Sequence, residues 1–249
     1  MKWGKVQRNV ADTVEAPRAG KPETGVWSVD HLRAFLLHVV RERLYAMWLL
    51  FATTGMRRGE VAGLTWDDID LDAGTVRVDW TLGLVEARPT FKPRPKSKAG
   101  ERTMSLDPAT VDALRAWRKV QLEERLAAGS AWQESALDWR GTERQGLVFT
   151  WPDGSLINPD RISDWFHSYR EAAGLPRIRL HDVRHTYATA ALANATGWHE
   201  VKIISERLGH ASIGITLDTY SHVLPQTDTE SAHTLARVIL VGDAASARC

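Results

Sequence analysis

The chain has 249 residues, 43% of them hydrophobic, which suits one large or two small domains around an ordinary packed core. No run approaches the ~18 apolar residues of a membrane helix, the start Met1-Lys2-Trp3-Gly4-Lys5 has no apolar signal stretch, and the one cysteine, Cys249, is the final residue, so a membrane span, a secretory leader, an internal disulfide and a cysteine-based metal site are not expected and a reducing, cytoplasmic setting is. Thirty-two Lys and Arg are nearly cancelled by 31 Asp and Glu, for a net charge of +1, so recognition of a polyanion must rest on local charge and not on the total.

Residues 1 to 25 mix charges with Pro17, Gly20, Pro22 and Gly25 and read as a linker after a short helical piece. A domain spanning 26–225 follows. Ser28 caps a helix with Leu32, Phe35, Leu36 and Val39 at helical spacing, and 44–54 is a second, almost wholly apolar helix ending at Gly55. Asp72-Ala73-Gly74 is a turn, 75–80 alternates as a strand, and 93–106 reads as a hairpin with its tip near 98–101 and its return strand at 102–106. Asp107-Pro108 opens a long helix expected to turn Val111, Leu114 and Leu122 inward. Residues 129–144 read as a surface loop, 147–149 as a short strand and Pro152-Asp153-Gly154 as a turn. Helices follow from Asn158-Pro159 to Gly174, over 182–192 and over about 201–208, where Gly209 stops the helix. A last segment, 226–249, carries an amphipathic helix at 227–240 with Ala232, Leu235, Val238 and Ile239 on one side. Several of the eleven tryptophans, such as Trp48 and Trp165, lie where helices pack and read as core. The fold class is α+β, mostly helical, with a small antiparallel sheet and a hairpin.

Chemistry concentrates in a few places. Arg57 lies in Thr54-Gly55-Met56-Arg57-Arg58-Gly59-Glu60, with Glu60 one helical turn away; alone, this reads more simply as a surface ion pair. Lys92, Arg94, Lys96, Lys98 and Arg102 crowd one stretch with Glu101 against them, a candidate phosphate strip or a solvated hairpin tip. His181 and Arg184 project on one face of a helix start, and His185 is four residues from His181. A zinc pair at that spacing wants Glu after the first His, and Asp182 stands there; His185 reads instead as a packed or hydrogen-bonded neighbour, and no metal site is expected. Leu208-Gly209-His210 delivers an imidazole into a loop, and Tyr220 follows in Asp218-Thr219-Tyr220-Ser221-His222-Val223. A lone tyrosine of this kind is ordinarily core or rim.

Taken together, 180–189 (LHDVRHTYAT), 207–216 (RLGHASIGIT) and 218–223 (DTYSHV) closely resemble the tyrosine recombinases, the phage-integrase type of site-specific recombinase, over about residues 27 to 223. The resemblance implies a DNA breaking-and-rejoining catalytic domain. Arg57 would be the first catalytic arginine and Glu60 its supporting acid, His181 and Arg184 the His-x-x-Arg pair, His210 the His-or-Trp position and Tyr220 the nucleophile. Pro95-Lys96-Ser97-Lys98 offers two candidates for the family's hairpin lysine, and Lys96 is the better match to its Pro-Lys-Thr-like position.

A tyrosine of pKa about 10 needs a base or nearby cations to become a nucleophile, and His181 is the expected acceptor of its proton. Paired guanidiniums suit the non-bridging oxygens of a crowded phosphorus, and Lys96 can protonate the leaving 5′ oxygen. The scheme requires neither ATP nor a divalent metal. Expected partners are double-stranded DNA and further copies of the chain, a tetramer in synapsis. The resemblance also implies a preceding core-binding domain of which residues 1–25 look like the tail, hence an isolated catalytic fragment, and a C-terminal helix exchanged between protomers. Ser105, where the family often has proline, and Glu101, beside the basic strip, depart from the pattern. Two rivals follow from the same residues: strand relaxation of the type IB topoisomerase kind, and a non-catalytic DNA-binding remnant of a mobile element.

Overall fold

The computed structural model describes residues 25–86, 88–93, 101–133, 135–137, 141 and 143–220. Arg94, Lys96, Lys98 and the 227–240 helix lie outside the described residues. Among those described, no helix is long and apolar enough to cross a membrane.

Helix α1 (Val29–His38) starts where the Ser28 hydroxyl accepts from the His31 amide at 3.2 Å, and α2 (Tyr45–Thr54) runs through the centre with Met47, Trp48, Leu50 and Phe51 all buried. Each such side chain contributes about 1.5–3 kcal/mol by leaving water, so the apolar run that gives α2 no polar face also fixes it in the middle of the fold. Its Trp48 joins Trp27, Phe35 and Phe166 in one aromatic cluster, with contacting ring centroids 5.2 to 6.3 Å apart. A short helix, α3 (Arg58–Ala62), follows directly.

Strands β1 (Ile69–Asp70), β2 (Thr75–Val78), β3 (Trp80–Val85), β4 (Arg88–Pro93) and β5 (Arg102–Ser105) make two antiparallel sheets, one in the order β1-β2-β5 and one a β3-β4 hairpin. Residues 94–100 of the expected 93–106 hairpin lie outside the described residues, and the pairings on either side of them are with other strands. β5 returns to β2, in the register Thr75↔Ser105 to Val78↔Arg102, while β4 pairs with β3 from Trp80↔Pro93 to Val85↔Arg88. The expected 75–80 strand is broken at Asp79, where the chain passes from one sheet to the other.

Helix α4 (Pro108–Ala128) is capped by Asp107, whose carboxylate accepts from the Thr110 amide at 3.0 Å, with Pro108 at the first helical position. Val111 and Leu114 face inward as expected. Leu122 does not: it is 50% exposed, and the inward position belongs to Gln121. That amide explains a second departure. Gln121 Nε2 donates to the carbonyls of Leu147 and Val148 at 3.0 Å, and Trp117 Nε1 donates to that of Val148 at 2.7 Å. Side chains thus satisfy the carbonyls of 147–148, and among the described residues this buried segment pairs as an isolated bridge, Leu147 with Thr65, in place of a strand. The 129–144 loop carries a small ladder, β6 (Ser135–Leu137) with β7 (Glu143–Gln145).

Helices α5 (Pro159–Ala172), α6 (Leu180–Ala193), α7 (Trp198–Leu208) and α8 (Ile213–Tyr220) complete the domain. α5 and the start of α6 join the main core, whereas the rest of α6 packs with α7 and α8 in a second cluster of Ala188, Leu192, Val201, Ile204, Leu208 and Tyr220. The ends of α2 and α7 meet the first turns of α3 and α6, and Arg57, Glu60, Arg184 and His210 collect there.

Candidate active site

Two helix ends build the site. An α-helix leaves its last four carbonyls without partners inside the helix and concentrates partial negative charge there. At the end of α7 three successive carbonyls each receive one guanidinium: that of Arg207 accepts from Arg102 Nε at 2.6 Å, that of Leu208 from Arg184 Nη2 at 2.5 Å and that of Gly209 from Arg57 Nη2 at 3.4 Å. Arg184 Nη1 also donates at 2.8 Å to the carbonyl of Gly55, the residue that ends α2. Both helices stop on a left-handed glycine, Gly55 at φ 63° and Gly209 at φ 65°. At Gly55 the space is closed as well, since an added Cβ would lie 2.5 Å from Tyr187 Cδ1.

Glu60 is the counter-charge. Its side chain is 1% exposed. It accepts from the Arg57 amide at 3.0 Å, from Arg57 Nη1 at 2.9 Å and from Arg102 Nη2 at 2.8 Å. Asp182 plays the matching part at the start of α6, accepting from Arg179 through its amide and its guanidinium at 2.8 to 3.1 Å. Both carboxylates close the first turn of a helix from the third position, where acidic groups favour the helix N-terminus.

Arg102 is where the sequence reading needs correction. It is not part of an exposed phosphate strip: its side chain is 7% exposed and ties Glu60 to the end of α7. A buried carboxylate requires charged or hydrogen-bonded partners, and β5, by pairing with β2, carries Arg102 to it. Lys92, by contrast, is exposed on β4. The separation of 42 residues between Arg102 and Glu60 lies beyond any spacing argument.

The electrostatic result is a pocket with excess positive charge. Burial first, then Arg57 and other arginines, pushes Arg102 and Arg184 down to about 9, and burial lowers Arg57. All three stay charged at neutral pH. Burial followed by Arg184 and Arg57 pushes His210 down to about 4. His210 Nδ1 lies 2.8 Å from Thr216 Oγ1, which donates onward to Ser205 Oγ at 2.9 Å. The Thr216 hydroxyl therefore accepts from His210, and in the neutral ring Nε2 is left as an acceptor. Donation by His210 to a phosphoryl oxygen requires it to gain a proton, which an anion entering among these guanidiniums favours.

Tyr220 ends α8 with 3% of its surface exposed. Burial raises its phenol and Arg184 opposes the rise. Its Oη lies 2.7 Å from Nδ1 of His185, while the ring of His181 meets His185 edge-on, with centroids 5.4 Å apart. Burial lowers both histidines; His185 and Arg184 lower His181 further, and Arg184 and Arg179 lower His185 against the opposing charge of Asp182. The group touching the tyrosine hydroxyl is thus His185, given by the sequence only as a neighbour. Among the described residues no three His, Cys, Asp or Glu converge as metal ligands.

Comparison with known proteins places the chain in a family and a fold. Residues 30–227 match the model of the phage integrase family. A tyrosine recombinase XerC-like protein of Caldanaerobacter subterraneus subsp. tengcongensis is 33% identical over 201 residues, covering 78% of this chain and 49% of that protein. A putative prophage phiRv2 integrase of Mycobacterium tuberculosis is 32% identical over 200 residues, covering 78% and 46%. The chain spans about half the length of these curated relatives. Among solved structures, the Tn1549 transposon integrase in complex with transposon right end DNA aligns with a TM-score of 0.66 at 18% identity, covering 94% of this chain and 71% of that one. The catalytic domain of bacteriophage HP1 integrase aligns with a TM-score of 0.52 at 17% identity, covering 88% and 98%. The helical architecture with small antiparallel sheets is that of tyrosine recombinase catalytic domains. With its family match running through most of the domain and across Arg57, His181, Arg184, His210 and Tyr220, the chain belongs to the phage integrase family.

Proposed function

We propose that this chain is the catalytic part of a site-specific DNA recombinase that cuts and rejoins strands through a 3′-phosphotyrosyl bond to Tyr220, acting on double-stranded DNA and assembling with further copies on it. The observation that carries the reading is the gathering of Arg57, Arg102 and Arg184 on the end of α7, with Glu60 as the shared carboxylate of Arg57 and Arg102, in a site where Arg184 also acts on the Tyr220 phenol. Such a site favours an anion held by planar donors, and a phosphodiester fits both the charge and the paired hydrogen bonds.

In the proposed step Arg57 and Arg184 hold the non-bridging oxygens as charge builds on them. Tyr220 Oη forms a bond to phosphorus, the bond from phosphorus to the 5′ oxygen breaks, and the phenolic proton passes to a histidine. Lys96, assigned by resemblance, supplies the proton that lets the 5′ oxygen leave as a hydroxyl. The phosphotyrosyl ester keeps the energy of the broken bond, and attack by a 5′ hydroxyl of a partner strand reverses the step onto new DNA. His210, once protonated, adds a donor to the same oxygens.

The test is covalent trapping. Nicked duplexes with a randomised core, from which the short cleaved strand diffuses away, are incubated with the protein in excess chelator and resolved on a denaturing gel. A protein–DNA band in the wild type that is missing in Tyr220→Phe supports the reading; no band, or an equal band in Tyr220→Phe, contradicts it. Plasmids carrying two copies of the selected site separate exchange from mere relaxation, and relaxation alone would favour topoisomerase-type chemistry.

A further inference from the structure

We propose that His185, and not His181 of the His-x-x-Arg box, is the base that takes the proton from Tyr220. This rests on the recombinase reading and deepens it.

Three observations converge. The only ring nitrogen hydrogen-bonded to the Tyr220 hydroxyl among the described residues is Nδ1 of His185, at 2.7 Å, a distance at which a phenol transfers its proton directly. The two rings approach at 48° with centroids 5.8 Å apart, and His181 packs against the His185 ring at 89°, so His181 walls the pair in. The third is position. His185 follows Arg184 directly on α6, and Arg184 is pinned at both ends, by Gly55 and Leu208. The proposed base is therefore built on the same rigid turn as Arg184, and Tyr220, in the cluster of α6, α7 and α8, meets it from α8.

The groups facing His185 are His181, Asp182, Arg179 and Arg184 from α6 and its cap, Tyr220 from α8 and His210 from the loop after α7. Burial and the two arginines keep the imidazole neutral and able to accept; Asp182 steadies the imidazolium once formed. The balance is simple: the Oη proton moves to Nδ1 as the Oη–P bond forms, and the same proton returns to Oη when a 5′ hydroxyl breaks that bond.

Two experiments on the full chain test the assignment. In the free protein, NMR of 15N-labelled histidine reports which ring nitrogen of His185 is bare. A bare Nδ1 that shifts in Tyr220→Phe is expected; an Nδ1 carrying its own proton overturns the proposal. In the trapping assay, His185→Gln keeps an acceptor for the tyrosine hydroxyl but cannot take its proton. It is expected to slow adduct formation by on the order of 10²- to 10⁴-fold, and to do so equally on duplexes with a 5′-bridging sulfur, whose leaving group needs no acid. Its pH profile should lose the imidazole inflection and keep rising toward the phenol range. His181→Gln is expected to slow the reaction less. A loss under about threefold in His185→Gln, or rescue by sulfur, overturns the base assignment while Tyr220 stands. A wild type that forms no adduct removes the nucleophile, and the base with it.

Discussion

Arg184 gives two of its five N–H groups to carbonyls at the ends of α2 and α7, which fixes the plane of the guanidinium before any ligand arrives. Lysine would keep the charge and lose the fork. Arg184→Lys is expected to slow adduct formation by about 10²- to 10³-fold while changing low-salt DNA affinity far less, as single-turnover kinetics beside a binding titration would read; equal losses in both would show a residue that only attracts DNA. Arg102 has a different part, since its two partners, Glu60 and the Arg207 carbonyl, are both protein groups. Arg102→Ala leaves the buried Glu60 short of a cation and should cost about 3 kcal/mol or more of stability in urea unfolding; a change under about 0.5 kcal/mol, the size usual for an exposed side chain, would return it to the surface strip. The sequence shows Arg57, Glu60, His181 and Arg184 as partners because three-residue spacing on a helix is visible in one dimension. It does not show Arg102 with Glu60 or His185 with Tyr220, because these pairs, 42 and 35 residues apart, are set by the β2-β5 pairing and by the packing of α6 on α8.

At the scale of elements, the active residues depend on where helices stop. Gly55 and Gly209 adopt left-handed conformations that other residues rarely take, and the carbonyls beside them hold the arginines. Gly55→Ala forces both an unfavourable φ and a 2.5 Å approach to Tyr187. It should destabilise the fold by more than about 1 kcal/mol and, at temperatures where the protein remains folded, depress cleavage more than DNA binding; thermal unfolding and the trapping assay together check this. Helix starts were legible because caps are local: Ser28, Asp107 and Asn158 each stand where their helix begins. Strand partners were less so. Nothing in 93–106 says that 102–105 will pair with β2, and nothing in the apolar run 147–149 says that Gln121 and Trp117 will take its carbonyls.

Across the whole molecule a net charge of +1 conceals a concentrated positive site, and its histidines carry the consequence. His181, His185 and His210 all lie below the ordinary imidazole value of 6.5, His210 at about 4. The unfolded chain binds protons at these positions from about pH 6.5 downward and the folded chain only at lower pH, so their contribution to stability is full above 6.5 and falls as pH drops toward 4. Urea midpoints should be lower at pH 5 than at pH 7.5, with a smaller drop in His210→Gln; a midpoint that holds at pH 5 would contradict the buried, cation-ringed site. The most direct test of the central claim is the identity and polarity of the covalent bond. Trapped adducts made in chelator on strands labelled at one end or the other, then digested and weighed by mass spectrometry, should place the 3′ phosphate of the cut strand on the peptide containing Tyr220. An adduct on another residue, or one that retains the 5′ phosphate, would contradict it.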